Sequence, residues 1–369
     1  MNITVNPKVL REALSELVPF GSTKKKGELG LTGRIIAGNN SIVIYTGDFQ
    51  KQFYAQREIP AVVNTPGQAG IDINQAMNAL SIFDADVKID MPRDGDSGTI
   101  QFKHDVVPLR GSAETIYKID PSDTPWLFVE KAEKLITAAA IVNKCRRQDD
   151  DARYAINGIC FLPTKDGMEL AGTDGKVYVA VRTGLDKIGE TPAICQPELS
   201  AALSSYDKKK ELWLKIEDKR IWVKQEGNIN VVGRIDGTYP DYHKVIDTAP
   251  VRLGDISSNS YTKVIQAISK KILEPNHQGQ IRILGDGVNL ILTNRSGAYK
   301  LSLPVPGFNL QPSACTADRI ARAFSLFDGI VSISSGSMPT NKNKRHLYLQ
   351  QNDRFVMLLL EDDYLGGSL

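Results

Sequence analysis

Three stretches of the chain read alike at a spacing of one small domain. They are "LSIFDADVKI" at 80–89, "LSSYDKKKELWLKI" at 203–216 and "FSLFDGIVSI" at 324–333. In each, a helix-compatible run closes on an aromatic residue and Asp, then gives way to alternating β-branched and polar residues. Asp84, Asp207 and Asp328 stand 123 and 121 residues apart. A second trio keeps nearly the same period: "IVIYTGDFQKQFYAQ" from Ile42, "MELAGTDGKVYVAV" from Met168 and "LILTNRSGAYKLSL" from Leu290. Each predicts a hairpin whose turn carries a threonine, Thr46, Thr173 or Thr293. A third trio, "IQFKHD", "IWVKQEG" and "LYLQQND", starts at Ile100, Ile221 and Leu347 and predicts a strand running into a polar turn. Three trios in one order imply three copies of one domain.

Each copy also opens on a helical stripe. Leu10, Ala13, Leu14, Leu17 and Val18 recur at i, i+3, i+4, i+7 and i+8 behind Pro7, a residue favoured at a helix start. The matching stripes are Ala132, Leu135, Ile136, Ala139 and Val142, then Tyr261, Val264, Ile265, Ile268 and Ile272. The predicted unit is helix, strands, helix, strands: an α+β layer with two helices on antiparallel sheet. Domains are expected over 1–120, 121–248 and 249–369, with boundaries in the Pro- and Asp-bearing "KIDPSDT" and "DTAPVRLGD".

Charge limits the partners. Lys and Arg number 45 against 43 acids, so nucleic-acid binding has to come from the arrangement of charge, not its amount. Lys8 and Arg11, Lys131 and Lys134, and Lys263, Lys270 and Lys271 lie on the polar sides of the opening helices, with Arg319 and Arg322 on a later one. These are either ordinary solvated faces or one surface offering cations to phosphates. Two basic loops at matching places favour the second: "STKKKGE", with Lys24, Lys25 and Lys26, and "NKCRRQDDD", with Arg146, Arg147 and Gln148. Neither has the interleaved aromatics of single-strand binders, which points to duplex backbone.

No catalytic pattern is present. The four cysteines lack paired spacing and read as reduced thiols, and the four histidines stand at no recognisable motif spacing. The acidic run at 149–151 reads as a loop cap and not a metal site; no metal or cofactor is expected. The N-terminus has no signal-peptide pattern and no apolar run is long enough for a membrane span, so a cytoplasmic protein without membrane contact is expected. "GTYPDYHKVID" at 237–247 puts Tyr, His, Lys and Asp in one turn, and its composition leaves reactive site, nucleic-acid contact and protein surface all open.

Together, "RYAINGICF" at 153–161, "AGTDGKVYVAV" at 171–181, "GTYPDYHKVID" and "RFVMLLL" resemble the bacterial sliding clamp, the beta subunit of DNA polymerase III. The resemblance covers the whole chain. It implies a head-to-tail homodimeric ring of DNA-clamp domains with helices around duplex DNA and no chemistry of its own; the alternative is a non-loading interaction scaffold of the same fold. It implies DNA contact at Lys24, Lys25, Arg146, Arg147 and Gln148, to which the basic helix face and loop add Lys8, Arg11 and Lys26 as DNA-facing positions, and it implies a dimer interface at Ile272 and Leu273. It also implies a groove for short linear peptides of DNA polymerase, clamp loader and repair proteins. Carried over motif by motif, that groove is Ile156, Thr173, Gly175, Lys176, Val177, Tyr178, Pro240, Lys244, Val245, Val356, Leu358, Leu359 and Leu360. The family pattern T-D-G-H-R-L is here T-D-G-K-V-Y, and an acidic tail follows at 361–369.

Overall fold

The computed structural model describes residues 1–21, 31–48, 52–92, 97–112, 116, 118–123, 125–130, 132–147, 154–187, 189–247, 249–270, 280–294, 299–339 and 341–362. Lys24, Lys25, Lys26, Lys131, Gln148, Lys271, Ile272, Leu273, the acidic run at 149–151 and most of the tail lie outside the described residues. Helices and sheets are mixed, and the strand pairs among the described residues are antiparallel. No helix among them is long and apolar enough to cross a membrane.

Helices stand where the apolar stripes predict them. Pro7–Leu17 buries Leu10, Ala13, Leu14 and Leu17, and the Asn6 side chain caps it by accepting from the backbone of Lys8 and Val9. Ala132–Asn143 buries all five members of its stripe; Ser258–Ser269 buries Tyr261, Val264 and Ile268. Ile73–Leu80, Leu199–Ser204 and Ala317–Phe324 follow at the second helical places.

The chain gathers into two compact units. One comprises Met1–Glu133 and Glu198–Arg234 and holds a five-stranded and an eight-stranded sheet. In the larger sheet Phe53–Pro60 pairs with Asn228–Gly233, which joins strands from distant parts of the sequence. Arg57, 1% exposed, locks that junction. Its guanidinium donates to Asn230 Oδ1 and Gln56 O, each at 2.8 Å, and to Glu16. A buried cation is tolerated because its donors are satisfied.

The other unit comprises Lys134–Pro197 and Ile235–Leu369 and is organised on one twelve-stranded sheet. Its centre is the long strand Arg354–Asp362, which pairs with Val177–Arg182 on one side and Asn341–Gln351 on the other. Helix Ala132–Asn143 comes so close to the sheet at Gly172 that a Cβ there would lie 2.7 Å from Val142 Cγ1. Only glycine permits that approach.

Candidate functional site: a groove on the aromatic face of the second unit

Side chains alternate across a strand, so each central strand of the second unit serves two faces. Tyr178 stands opposite Met357, and Met357 opposite Tyr348. These three pack in one cluster with Cys160, Ala171, Ala180 and Ile194, and Phe355 joins it two residues before Met357. Val356, Leu358 and Leu360 have the other parity and are buried on the reverse face, where helix Ala317–Phe324 packs on the strand.

The segment 237–247 covers the aromatic face. Asp241 accepts from the His243 backbone at 3.1 Å and starts the short helix Tyr242–Lys244. Tyr239 and Tyr242 turn inward, and Tyr242 stacks on Tyr178 with ring centroids 4.3 Å apart. The Tyr242 hydroxyl donates to Glu169 Oε2 at 3.0 Å. Asp247 ends the segment: its backbone N–H donates to the Tyr348 hydroxyl, and its carboxylate accepts from the backbone of Ala249 and Ser337, all at 3.0 Å. Those backbone donors hold the Asp247 carboxyl below its ordinary pKa. Burial, reinforced by Tyr242, Tyr239 and Glu169, pushes the Tyr178 phenol well above its ordinary pKa. The tyrosines are therefore neutral packing groups.

The opposite rim is the turn between Gly167–Thr173 and Val177–Arg182. Thr173 Oγ1 donates to Val177 O at 2.7 Å and accepts from Gly175 N at 3.0 Å. Asp174 Oδ1 accepts from the backbone of Lys176 and Val177, while Oδ2 takes Arg322 at 2.8 Å. Gly175, at φ +87°, supplies the left-handed step that this Thr-Asp-Gly turn needs.

Between the rims lies a cleft with about 760 Å³ of space free of protein atoms. Eight of the residues carried over from the resemblance line it: Thr173, Gly175, Lys176, Val177, Tyr178, Pro240, Val245 and Leu359. Val356, Leu358 and Leu360 do not, because their parity aims them at the reverse face. Ile156 is buried and lies outside the lining. Lys244 is exposed on the rim, 3.6 Å from Asp241. The lining also includes Asp241, Tyr242, Met338, His346 and Met357, which the motif reading omits. "FVMLLL", after Arg354, is apolar throughout, so no polar–apolar alternation marks its faces. Met338 and His346 come from the hairpin of Val331–Met338 and Asn341–Gln351, whose second strand sets His346 opposite Leu359. Tyr242 was legible only as part of its aromatic-rich stretch.

Of the proposed DNA contacts, Lys8 and Arg11 are exposed on helix Pro7–Leu17. The Arg146 guanidinium donates to Asn143 Oδ1 at 2.7 Å and to Arg147 O at 3.1 Å, so its charge is held at the end of helix Ala132–Asn143. The Arg147 backbone N–H is shared by Ile156 O and Thr173 O.

The fold of the whole chain has counterparts among solved structures. DNA polymerase III subunit beta from Borrelia burgdorferi superposes with a TM-score of 0.83 at 12% identity, covering 98% of this chain and 100% of that one. The chain has the sliding-clamp fold. The Pseudomonas aeruginosa beta subunit matches with a TM-score of 0.83 at 13% identity, over 98% and 100% of the two chains. The Helicobacter pylori beta clamp, solved bound to a DNA ligase peptide, matches with a TM-score of 0.79 at 15% identity, over 98% and 99%. No family model and no curated protein matches the sequence.

Proposed function

We propose that the chain is a DNA sliding clamp. Three repeated domains per chain, and two chains head to tail, close a ring around duplex DNA; the ring tethers the replicative polymerase, and the clamp loader and repair proteins dock on the same groove through short linear peptides. The observation that carries this reading is the cleft bounded by Thr173–Val177, Pro240–Val245 and the odd-numbered face of strand Arg354–Asp362. It combines apolar walls with a few oriented polar groups, the pattern suited to one short peptide. A ring holds DNA by enclosure, so it needs no base readout, and a near-neutral chain suffices. The recurring helix–strand order supports the repeat, and the absence of a catalytic pattern in the sequence supports a tethering role.

Retention on nicked circular DNA, lost on linearisation, is the expected result; equal retention on both would leave only a scaffold of the same fold. Charge reversal at Lys24, Lys25, Arg146 and Arg147 should weaken loading, and Ile272→Asp with Leu273→Asp should give monomers by sedimentation. Each aliphatic burial lost costs about 1.5–3 kcal/mol before the charge penalty.

A further inference from the structure

A second cleft, with about 650 Å³ of space free of protein atoms, lies on the other side of Tyr242 from the groove. Tyr242 is a wall of both. We propose that this cleft accepts a lysine or arginine side chain that flanks the apolar anchor of a groove-bound peptide. The inference rests on the groove reading above and names a feature of the partner.

The parity that builds the groove also builds this cleft. Tyr178, Ala180 and Arg182 share a face, with Ala180 opposite Phe355 and Arg182 opposite Glu169. Ala180 leaves room between the Tyr242 and Phe355 rings, whose centroids are 6.3 Å apart. Glu169, whose side chain is 14% exposed, stands beside them. Its Oε2 accepts from Tyr242, while Oε1 is 3.7 Å from Arg182 Nε, beyond hydrogen-bond reach. Arg182 is more than half exposed and also faces Asp166 at 3.9 Å. Two carboxylates thus share one loosely held guanidinium.

The other ionic groups at the cleft are committed elsewhere. Asp353 pairs with Lys134 at 3.2 Å; Arg354 donates to Leu326 O at 3.0 Å and faces Asp328. His243 lies exposed against the Tyr242 ring. Glu169, the least exposed of the ionic groups at the cleft, faces the space beside the aromatic walls, which suits a cation carried on an apolar stem. Phe355 and Leu359 are four residues apart on one strand, about 13 Å. An extended peptide would span that distance with an offset of about four residues between anchor and cation.

The test is selection of phage-displayed random dodecapeptides on the full chain and on its Glu169→Gln variant. Glutamine keeps an acceptor for the Tyr242 hydroxyl and removes only charge; an unchanged melting curve verifies folding. On the unaltered chain we expect an apolar pair with Lys or Arg enriched at a fixed offset of about four. On Glu169→Gln the apolar pair should persist and the basic preference vanish. A synthetic peptide with that residue changed to Ala should bind about three- to tenfold more weakly to the unaltered chain only. Arg182→Ala, which removes the competing cation, should sharpen the preference. No basic preference, its survival in Glu169→Gln, or an acidic preference lost in Arg182→Ala would each overturn the proposal while leaving the groove reading intact. Failure to enrich any apolar pair would overturn both.

Discussion

Two junctions in this molecule are built alike and end differently. In the first unit Phe53–Pro60 meets Asn228–Gly233; in the second Val177–Arg182 meets Arg354–Asp362. Each gathers aromatics on one face: Tyr45, Tyr54 and Trp222 in the first, Tyr178, Tyr348 and Phe355 in the second. Each is covered by a connecting segment, through Ile116, Ile119 and Trp126 in one and through Tyr239, Val245 and Ile246 in the other. In the first unit the cover is tied down by Lys215, whose ammonium donates to Ser122 O at 2.5 Å and lies over the Trp126 ring. In the second the cover narrows to one short helical turn, and clefts lie on both sides of Tyr242. The same packing device is therefore closed core in one place and the wall of an open cleft in the other. What separates them is the route of the connecting segment.

Four experiments bear on that contrast, in decreasing order of effect. Tyr54, fully buried with its hydroxyl donating to Gln56 at 3.1 Å, is pure core. Tyr54→Ala should cost the first unit about 3–5 kcal/mol in chemical denaturation and leave groove affinity unchanged. A loss of peptide binding at constant fold would break the contrast. Next comes parity. Leu358→Ala should cost about 2–4 kcal/mol of stability with little effect on a groove-bound peptide, whereas Leu359→Ala should cost about 1 kcal/mol and weaken that peptide about tenfold. Titration calorimetry and melting of both variants decide it, and equal behaviour would dissolve the two-face description.

A smaller effect is expected from Tyr242→Phe, which removes the donor to Glu169 and retains the ring stacked on Tyr178. It should cost about 0.5–1.5 kcal/mol and preserve the apolar preference of the groove. The smallest effect near neutral pH comes from the buried thiols. All four cysteines belong to the second unit and are buried. Burial pushes the thiols of Cys145 and Cys315 from 9.0 up to about 12. The folded state then holds protons that the unfolded state releases, so their contribution is complete below pH 9 and is lost as pH rises from there toward about 12. Thiol labelling of the native chain at pH 8 should be slow at both positions. Rapid labelling would mean that the second unit opens far more readily than its packing implies.

Much of the fold was legible before any coordinates. Apolar residues at helical spacing marked Pro7–Leu17 and Ala132–Asn143, because a helix must bury one stripe. Thr-Asp-Gly marked the turn at Thr173, because its side chains satisfy the backbone locally and Gly175 adopts positive φ. The long-period likenesses signalled recurring helix and hairpin places. Such features depend on neighbours in sequence, and a single chain records them.

The rims of the cleft were legible in the sequence and the outward face of its central strand was not, for one physical reason. Motifs located the two rims, yet a run such as "VMLLL" is buried on both faces and carries no mark of which residues look outward. Pairing decided it: Met357 opposite Tyr178 turns Met357 and Leu359 to the groove and sends Val356, Leu358 and Leu360 to the helices. Met338 and His346 depended on the register of their hairpin and on its pairing with Arg354–Asp362, which also pairs with the distant Val177–Arg182. "GTYPDYHKVID", open at first to three readings, became a rim because Tyr239 and Tyr242 had an aromatic face to pack on. Local chemistry determined where helices and turns begin; long-range register, which no short stretch encodes, decided which side of each central strand lines the cleft.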